Sequence, residues 1–306
     1  MIADFTFKNK TMKDEEDYQT DNANTTNLKS FHYLEDGSIE FSILETKYTT
    51  KKLNPAVYNL GVKIAGNEWV VDLSVGSDKE LFSTDLGFFY EDKIKNIYSK
   101  FFLPEIKDNV RSLGYNHKLG ILLYGKQGTG KTSLFKKYFN DAVVNQNAIV
   151  FNITAGGAIS VWWRFIQKVR KIQDNPIVVF IDEADKFFDK TDNHESSFKT
   201  FLDGSDSIDN CFFMLTTNYI DKIPETIKNR PSRIKYAIEV EGIQDEKLIT
   251  KFLQQSFDKI NMKVDFSNEV SKMKGWTIDE LKQWVLDKVM DIEPEQKNRR
   301  RLGFNS

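Results

Sequence analysis

The sequence predicts an α/β fold: a parallel β-sheet covered on both faces by helices in three αβα layers, with a C-terminal helical lid and a small β-rich or α+β N-terminal domain. Three observations predict it. Short, continuously apolar segments alternate with longer connections through the middle of the chain. A glycine-rich loop stands between one such segment and a helix-like stretch. After Val240 the apolar spacing is helical alone.

The 306 residues suffice for one large or two medium domains plus an extension. Residues 11–30 are polar and acidic and read as a loop or mobile arm. Phe31–Leu34, Ile39–Leu44 and Trp69–Leu73 read as short strands, punctuated by Gly37, Gly61, Gly66 and Gly76. Residues 1–84 are therefore expected to form a separate, small N-terminal domain. Glu91–Leu103 places Ile94, Ile97, Tyr98, Phe101 and Phe102 at helical spacing, and Pro104 ends or kinks that helix.

The core strands are expected at Ile121–Tyr124, Ala148–Ile153, Ile177–Ile181, Cys211–Thr216 and Ala237–Val240. Strands apolar at every position are buried on both faces, which defines a parallel-sheet core over residues 85–240. Leu248, Ile249, Phe252, Leu253, Phe257 and Ile260 then form one helical face. Thr277 and Glu280 have capping-box spacing, with Trp276 and Leu281 placed to staple the helix start. Ile278, Leu281, Trp284, Val285 and Val289 continue the apolar face, so residues 241–306 are a helical lid with a basic tail.

Charge and cysteine usage exclude several function classes. The 43 basic and 45 acidic residues nearly cancel, which gives no general attraction to nucleic acid or anionic membranes. The local exception is Lys297-Asn298-Arg299-Arg300-Arg301. The single cysteine, Cys211, rules out an intrachain disulfide and reads as a small buried apolar residue in a reducing compartment. His32, His117 and His194 lack metal-ligand spacing. Charges interrupt the N-terminus early, and no apolar run approaches the roughly 18 residues of a membrane span.

Gly125-Lys126-Gln127-Gly128-Thr129-Gly130-Lys131-Thr132 matches G-x-x-x-x-G-K-[ST] between a strand and a helix. Loop glycines let backbone N–H groups turn towards phosphate oxygens, and the helix N-terminus adds partial positive charge. Gly125, Gln127, Gly128, Thr129, Gly130, Lys131, Thr132 and Ser133 are the nucleotide-binding candidates. Lys131 is suited to the β- and γ-phosphates and Thr132 to Mg²⁺.

Ile177–Ile181 runs into Asp182 and Glu183, at the strand edge where open α/β sheets bind ligands. Asp182 suits Mg²⁺ through its water shell. Glu183 suits a general base on the attacking water. Asp185 reads as structural or solvated. Thr216-Thr217-Asn218 ends the next strand, so Asn218 is a candidate to orient that water. Arg230 and Arg233 can stabilise phosphoryl charge, including from another subunit.

The series GKQGTGKT, IVVFIDEAD and TTNYIDKIPETIKNRPSR resembles AAA+ ATPases of the AAA-proper clade over about residues 85–290. Tyr115–Ser133 and the arginine block are most similar to the mitochondrial Rieske-protein translocase group and its bacterial and viral relatives. The resemblance implies a P-loop NTPase core, ATP with Mg²⁺, and a homo-oligomeric ring, usually a hexamer, that remodels or translocates a protein client. It places Lys131 and Thr132 on Walker A, Asp182 and Glu183 on Walker B, and Asn218 on sensor 1. Arg230 and Arg233 fall on paired arginine fingers and Gly275 on the sensor 2 region.

Two departures stand out. The family's first pore loop falls in Ala155–Val161, where its aromatic–hydrophobic–Gly tripeptide is missing. Trp162 and Trp163 either replace it or pack the following helix. The membrane span of the mitochondrial group is absent, so a cytoplasmic location is expected, bacterial or in a virus's host. A nucleic-acid motor using the basic tail, or a slow ATP-gated structural ring, are the rival readings.

Overall fold

The structure is a computed structural model that describes residues 31–33, 39–43, 46–50, 52–65, 68–75, 91–153, 159–188, 194–203 and 208–290. The arm at 11–30 and the basic tail at 297–301 lie outside the described residues.

Strands β1 (Phe31–Tyr33), β2 (Ile39–Ile43) and β3 (Thr46–Thr50) form an antiparallel three-stranded sheet. A second sheet has seven strands in the order β10-β6-β9-β8-β7-β4-β5. Its members are β4 (Val57–Ala65), β5 (Glu68–Val75), β6 (Lys118–Tyr124), β7 (Ile149–Ile153), β8 (Ile177–Ile181), β9 (Cys211–Thr217) and β10 (Tyr236–Glu239). Every neighbouring pair is parallel except the β4–β5 hairpin. The α/β class and the five expected core strands are thus as the apolar pattern requires, with ends shifted by a few residues.

Strands β4 and β5, which fall within the expected N-terminal domain of residues 1–84, pair with the main sheet. β4 pairs in parallel with β7, from Val57 opposite Val150 to Leu60 opposite Ile153. Asn152 donates to the Asn59 side chain at 2.7 Å across that pair. Just before β4, the buried amide of Gln173 accepts from Leu53 N–H at 2.7 Å and donates to the Leu53 carbonyl at 2.9 Å. Residues from Leu53 to Val75 therefore belong to the main sheet. A hairpin looks the same in sequence whether it stands alone or widens a larger sheet, because β4's partner lies some 90 residues on.

The sheet buries both faces, which accounts for its unbroken apolar strands. Along β9, Phe212 and Met214 join one core while Cys211, Phe213 and Leu215 join the other. Helix α1 (Glu91–Phe101) and helix α3 (Lys131–Val144) cover the first face with Tyr98, Phe101, Phe135 and Phe139. Pro104 starts a second short helix, α2 (Pro104–Ser112), rather than kinking α1. Proline suits a first helical turn, which needs no N–H donor.

Helix α4 (Ile159–Ile172) and helix α5 (His194–Asp203) cover the other face. Trp162 and Trp163 are fully buried there, with ring centroids 5.4 and 4.8 Å from Phe201. Both tryptophans are core packing, not pore-loop grips. Residues 155–158 of the expected pore loop lie outside the described residues.

Beyond the short helix α6 (Glu225–Lys228) and β10, the lid has its own core. Helix α7 (Glu246–Asp258) supplies Ile249, Leu253 and Phe257, and helix α8 (Ile278–Met290) supplies Ile278 and Leu281. The capping box forms as spaced: Thr277 N–H donates to Glu280 at 2.6 Å, and Glu280 N–H donates to Thr277 Oγ1 at 3.2 Å. It fixes where α8 begins, and the first turn of α8 faces the glycine loop.

Candidate nucleotide site

One pocket collects residues from four separate stretches. Gln127, Gly128, Gly130, Lys131, Thr132 and Ser133 come from the glycine loop and α3; Asp182 and Glu183 follow β8. Thr216 and Asn218 come from the end of β9; Ile278, Asp279 and Lys282 come from α8. Parallel strands bring this about, because β6, β9 and β8 are neighbours and all release their C-terminal ends at one edge.

Lys131 is buried, yet neutral oxygens hold its ammonium. Nζ donates to the carbonyls of Gly125 at 2.9 Å and Lys126 at 2.7 Å, and to Thr129 Oγ1 at 3.4 Å. Burial lowers its pKa, partly offset by the fields of Asp182 and Asp185. A desolvated cation held by loop carbonyls fits an incoming anion, which can replace those weaker partners. Thr129, also buried, braces the loop by donating to the Lys126 carbonyl at 2.9 Å. Gly125 and Thr129 shape the loop without lining the pocket.

Thr132 and Asp182 meet as a metal pair must: Thr132 Oγ1 donates to Asp182 Oδ1 at 2.8 Å. One hydroxyl and one carboxylate suit Mg²⁺, which takes hard oxygens and keeps waters and phosphate oxygens for its other positions. Thr216 also donates to Asp182 Oδ1 and accepts from Glu183 N–H at 3.0 Å. Glu183 itself stands at φ 50°, a left-handed conformation unusual for a side chain other than glycine. Its carboxylate pairs with Lys186 on the following turn.

Asp185 is structural: its buried carboxylate accepts from Thr217 Oγ1 at 2.6 Å, tying the acidic turn to the end of β9. Thr217 in turn accepts from Tyr219 N–H at 2.9 Å, which holds the backbone on either side of Asn218.

The two arginines part company. Arg230 is exposed, whereas Arg233 is buried and donates through Nη1 to the Thr226 carbonyl of its own chain. Neither lines the pocket. Within one chain the two thus differ in exposure, and the pocket that each would serve in the expected reading belongs to a neighbouring copy.

Gly275 is likewise absent from the pocket lining. At φ 81° it passes so close to Gly242 that a Cβ there would sit 1.9 Å from the Gly275 carbonyl oxygen. Its N–H donates to the Ile243 carbonyl at 2.8 Å, so it shapes the junction between core and lid. The lid residues that do reach the pocket are Ile278, Asp279 and Lys282, which sequence reasoning missed. Thr216 was also missed, although it ends a strand beside the one that carries Asp182. Gly128 shows how close the lid comes: at φ 81°, a Cβ there would stand 2.9 Å from that of Asp279.

Comparisons with known proteins agree with this geometry. Residues 121–241 match the family described as "ATPase family associated with various cellular activities (AAA)". The chain is 29% identical over 182 residues to a proteasome-activating nucleotidase of Aeropyrum pernix, covering 55% of this chain and 44% of that protein. It is 28% identical over 171 residues to Protein CdcH of Halobacterium salinarum, covering 51% of this chain and 22% of that one. It is 29% identical over 153 residues to a 26S proteasome regulatory subunit 6B homolog of Schizosaccharomyces pombe, covering 46% and 39%. The chain thus spans less than half the length of these curated relatives. Among the described residues, no helix is long and apolar enough to cross a membrane. Residues 121–241, which hold the glycine loop, the acidic strand end and most of the parallel sheet, are thus similar to an AAA ATPase domain.

Proposed function

We propose that the chain hydrolyses ATP to ADP and phosphate, that copies assemble into a ring with sites shared between neighbours, and that turnover remodels a protein client. The observation that carries this reading is the convergence of Lys131, Thr132, Asp182, Glu183, Thr216 and Asn218 in one pocket roofed by the lid.

In this reading, Lys131 leaves the Gly125 and Lys126 carbonyls and turns to the β- and γ-phosphates. Thr132 and Asp182 would hold Mg²⁺, which would supply positive charge against the phosphate oxygens. Asn218 orients the water, and Glu183 accepts its proton as the oxygen attacks the γ-phosphorus; the bond from that phosphorus to the bridging oxygen breaks, and ADP leaves with that oxygen. Arg230, exposed on its own chain, would act on a neighbour's site. Arg233 supports the loop that presents it. The N-terminal segment through β3 is the client-recognition element, residues 53–240 the ATPase core, and 241–306 the lid and tail.

The names of the relatives, proteasome-activating and proteasome-regulatory proteins, support protein remodelling over a nucleic-acid motor. The finer likeness to the Rieske-protein translocase group rests on the Tyr115–Ser133 run and the arginine block.

The test is ATP turnover per protomer across a wide protein concentration range, with Lys131→Ala as the inactive control. Turnover that rises with concentration and saturates supports sites completed between copies. Turnover no higher than the control overturns the enzymatic reading.

A further inference from the structure

The turn that carries Arg230 is tied to a helix from another part of the chain. Thr226 Oγ1, in α6, donates to Glu195 Oε1 at 2.7 Å, joining residues 31 apart in sequence. Glu195 lies in the first turn of α5, in the connection from β8 to β9 that also holds Asp182 and Glu183. Lys199, one turn on, pairs with the same carboxylate at 2.5 Å. Lys199 first and Thr226 second hold that carboxyl below the usual range against the effect of burial, and the charge of Arg233 adds to the pull.

Thr226 acts in two directions. Its side chain reaches to α5, while its carbonyl accepts from Arg233 Nη1. The N–H groups of Arg233 and Ile234 in turn donate to the Arg230 carbonyl at 2.8 and 3.1 Å. On the near side of the turn, the Asn229 amide donates to Glu225, which also pairs with Lys228 at 2.8 Å. Those contacts are local. Glu195 instead joins the turn to α5, whose Phe198 and Phe201 are fully buried in the core. An exposed arginine that must meet a phosphoryl group needs such a rigid base, because an error of about 1 Å forfeits much of its effect.

We propose that Glu195 and Thr226 are positioning residues for Arg230, fixing the turn so that its guanidinium meets the nucleotide of a neighbouring copy. Neither residue lines the pocket of its own chain. Both act through the backbone that carries Arg230. The role rests on the reading that sites are shared between copies, and it has a direction: loss of either residue is felt at the neighbour's site.

The experiment mixes two kinds of full-chain copy in equal amounts and follows ATP turnover. Acceptor copies carry Arg230→Ala and keep an intact pocket. Donor copies carry Glu183→Gln and keep Arg230. Turnover of the mixture then comes from acceptor pockets served by donor arginines. Adding Glu195→Ala or Thr226→Val to the donors is expected to lower it roughly threefold to tenfold, with the KM for ATP unchanged. The same changes in the acceptors, which have no arginine to position, are expected to leave it within about twofold. Glu195→Gln keeps an oxygen for the Thr226 hydroxyl, and Thr226→Ser keeps the hydroxyl, so donors with either are expected to regain most of the turnover.

Equal losses from donors and acceptors would mean general damage to the fold and would overturn the positioning role. So would donors that lose nothing with Glu195→Ala and Thr226→Val. If the mixture without these additions is no more active than its separate parts, the shared-site reading itself fails, and the positioning role with it.

Discussion

The hydroxyl of Thr216 stands between the two acidic positions of the pocket, donating to Asp182 and accepting from the backbone N–H of Glu183 at 3.0 Å. A single side chain on β9 thereby sets both the candidate metal ligand and the candidate base on the neighbouring β8. Thr216→Val keeps shape and removes both bonds. Turnover is expected to fall roughly 10- to 100-fold, as for supporting residues of metal sites. Stability should fall about 1–3 kcal/mol, because the Glu183 N–H loses its acceptor. Steady-state kinetics with parallel denaturant unfolding checks this, and unchanged kcat would remove Thr216 from the machinery.

The two arginines should separate cleanly. Arg233→Ala removes a buried guanidinium from the Thr226 carbonyl, at an expected cost of about 1–3 kcal/mol in stability, whatever the state of assembly. Arg230→Ala changes an exposed side chain, so its melting temperature should stay within about 1 °C. Its turnover in the assembled state should nonetheless fall at least about tenfold, with ATP affinity of the protomer unchanged. Thermal melts beside turnover assays decide this; two variants with the same profile would refute the division of labour.

Gln173 offers a test of the sheet boundary. Its amide makes two buried bonds to the backbone of Leu53. Gln173→Leu leaves the Leu53 N–H and carbonyl without those partners and is expected to cost about 2–4 kcal/mol in total. Hydrogen exchange should quicken along β4 before it quickens along β6. If β4 and β5 were an independent domain, the substitution would leave exchange in the core strands unaltered.

His117 predicts a pH effect. Burial lowers its pKa, against the opposing pull of the Phe101 carbonyl and Asp209; Arg111 and Lys107 act in the same direction as burial. The ring stacks on Phe101 with centroids 4.3 Å apart, and its Nε2 lies 2.8 Å from the Phe101 carbonyl. The unfolded chain takes up the proton near the ordinary imidazole pKa of about 6.5, while the folded chain resists it. This group therefore removes stability as pH falls from about 6.5 towards the lower folded value, by at most about 1.4 kcal/mol per pH unit. His117→Phe should show a flatter stability curve between about pH 7.5 and 5. Parallel curves for the two proteins would rule the effect out.

The glycine loop and the acidic strand end were legible because each is contiguous: Gly125 to Thr132 and Ile177 to Glu183 carry their chemistry within one short stretch. The core strands were legible because burial on both faces leaves an unbroken apolar run, as in Ile177–Ile181. What escaped depends on partners distant in sequence. Thr216 matters only because β9 lies beside β8, and β4 belongs to the core only because β7 accepts it. Asp279 and Lys282 reach the loop only because the lid folds back over it. Arg233 carried the same motif whether it pointed outwards or inwards, and a local pattern does not contain that choice.

The parallel register of β4 on β7 also has a mechanical meaning. A load applied to the chain ahead of β4 falls on the ladder from Val57–Val150 to Leu60–Ile153 along the strand direction, so its hydrogen bonds share the force in shear instead of parting one by one. The Asn59–Asn152 and Leu53–Gln173 bonds lie in the same path. Tension on the chain ahead of β4 thus enters the sheet two strands from β8, whose end leads into Asp182 and Glu183.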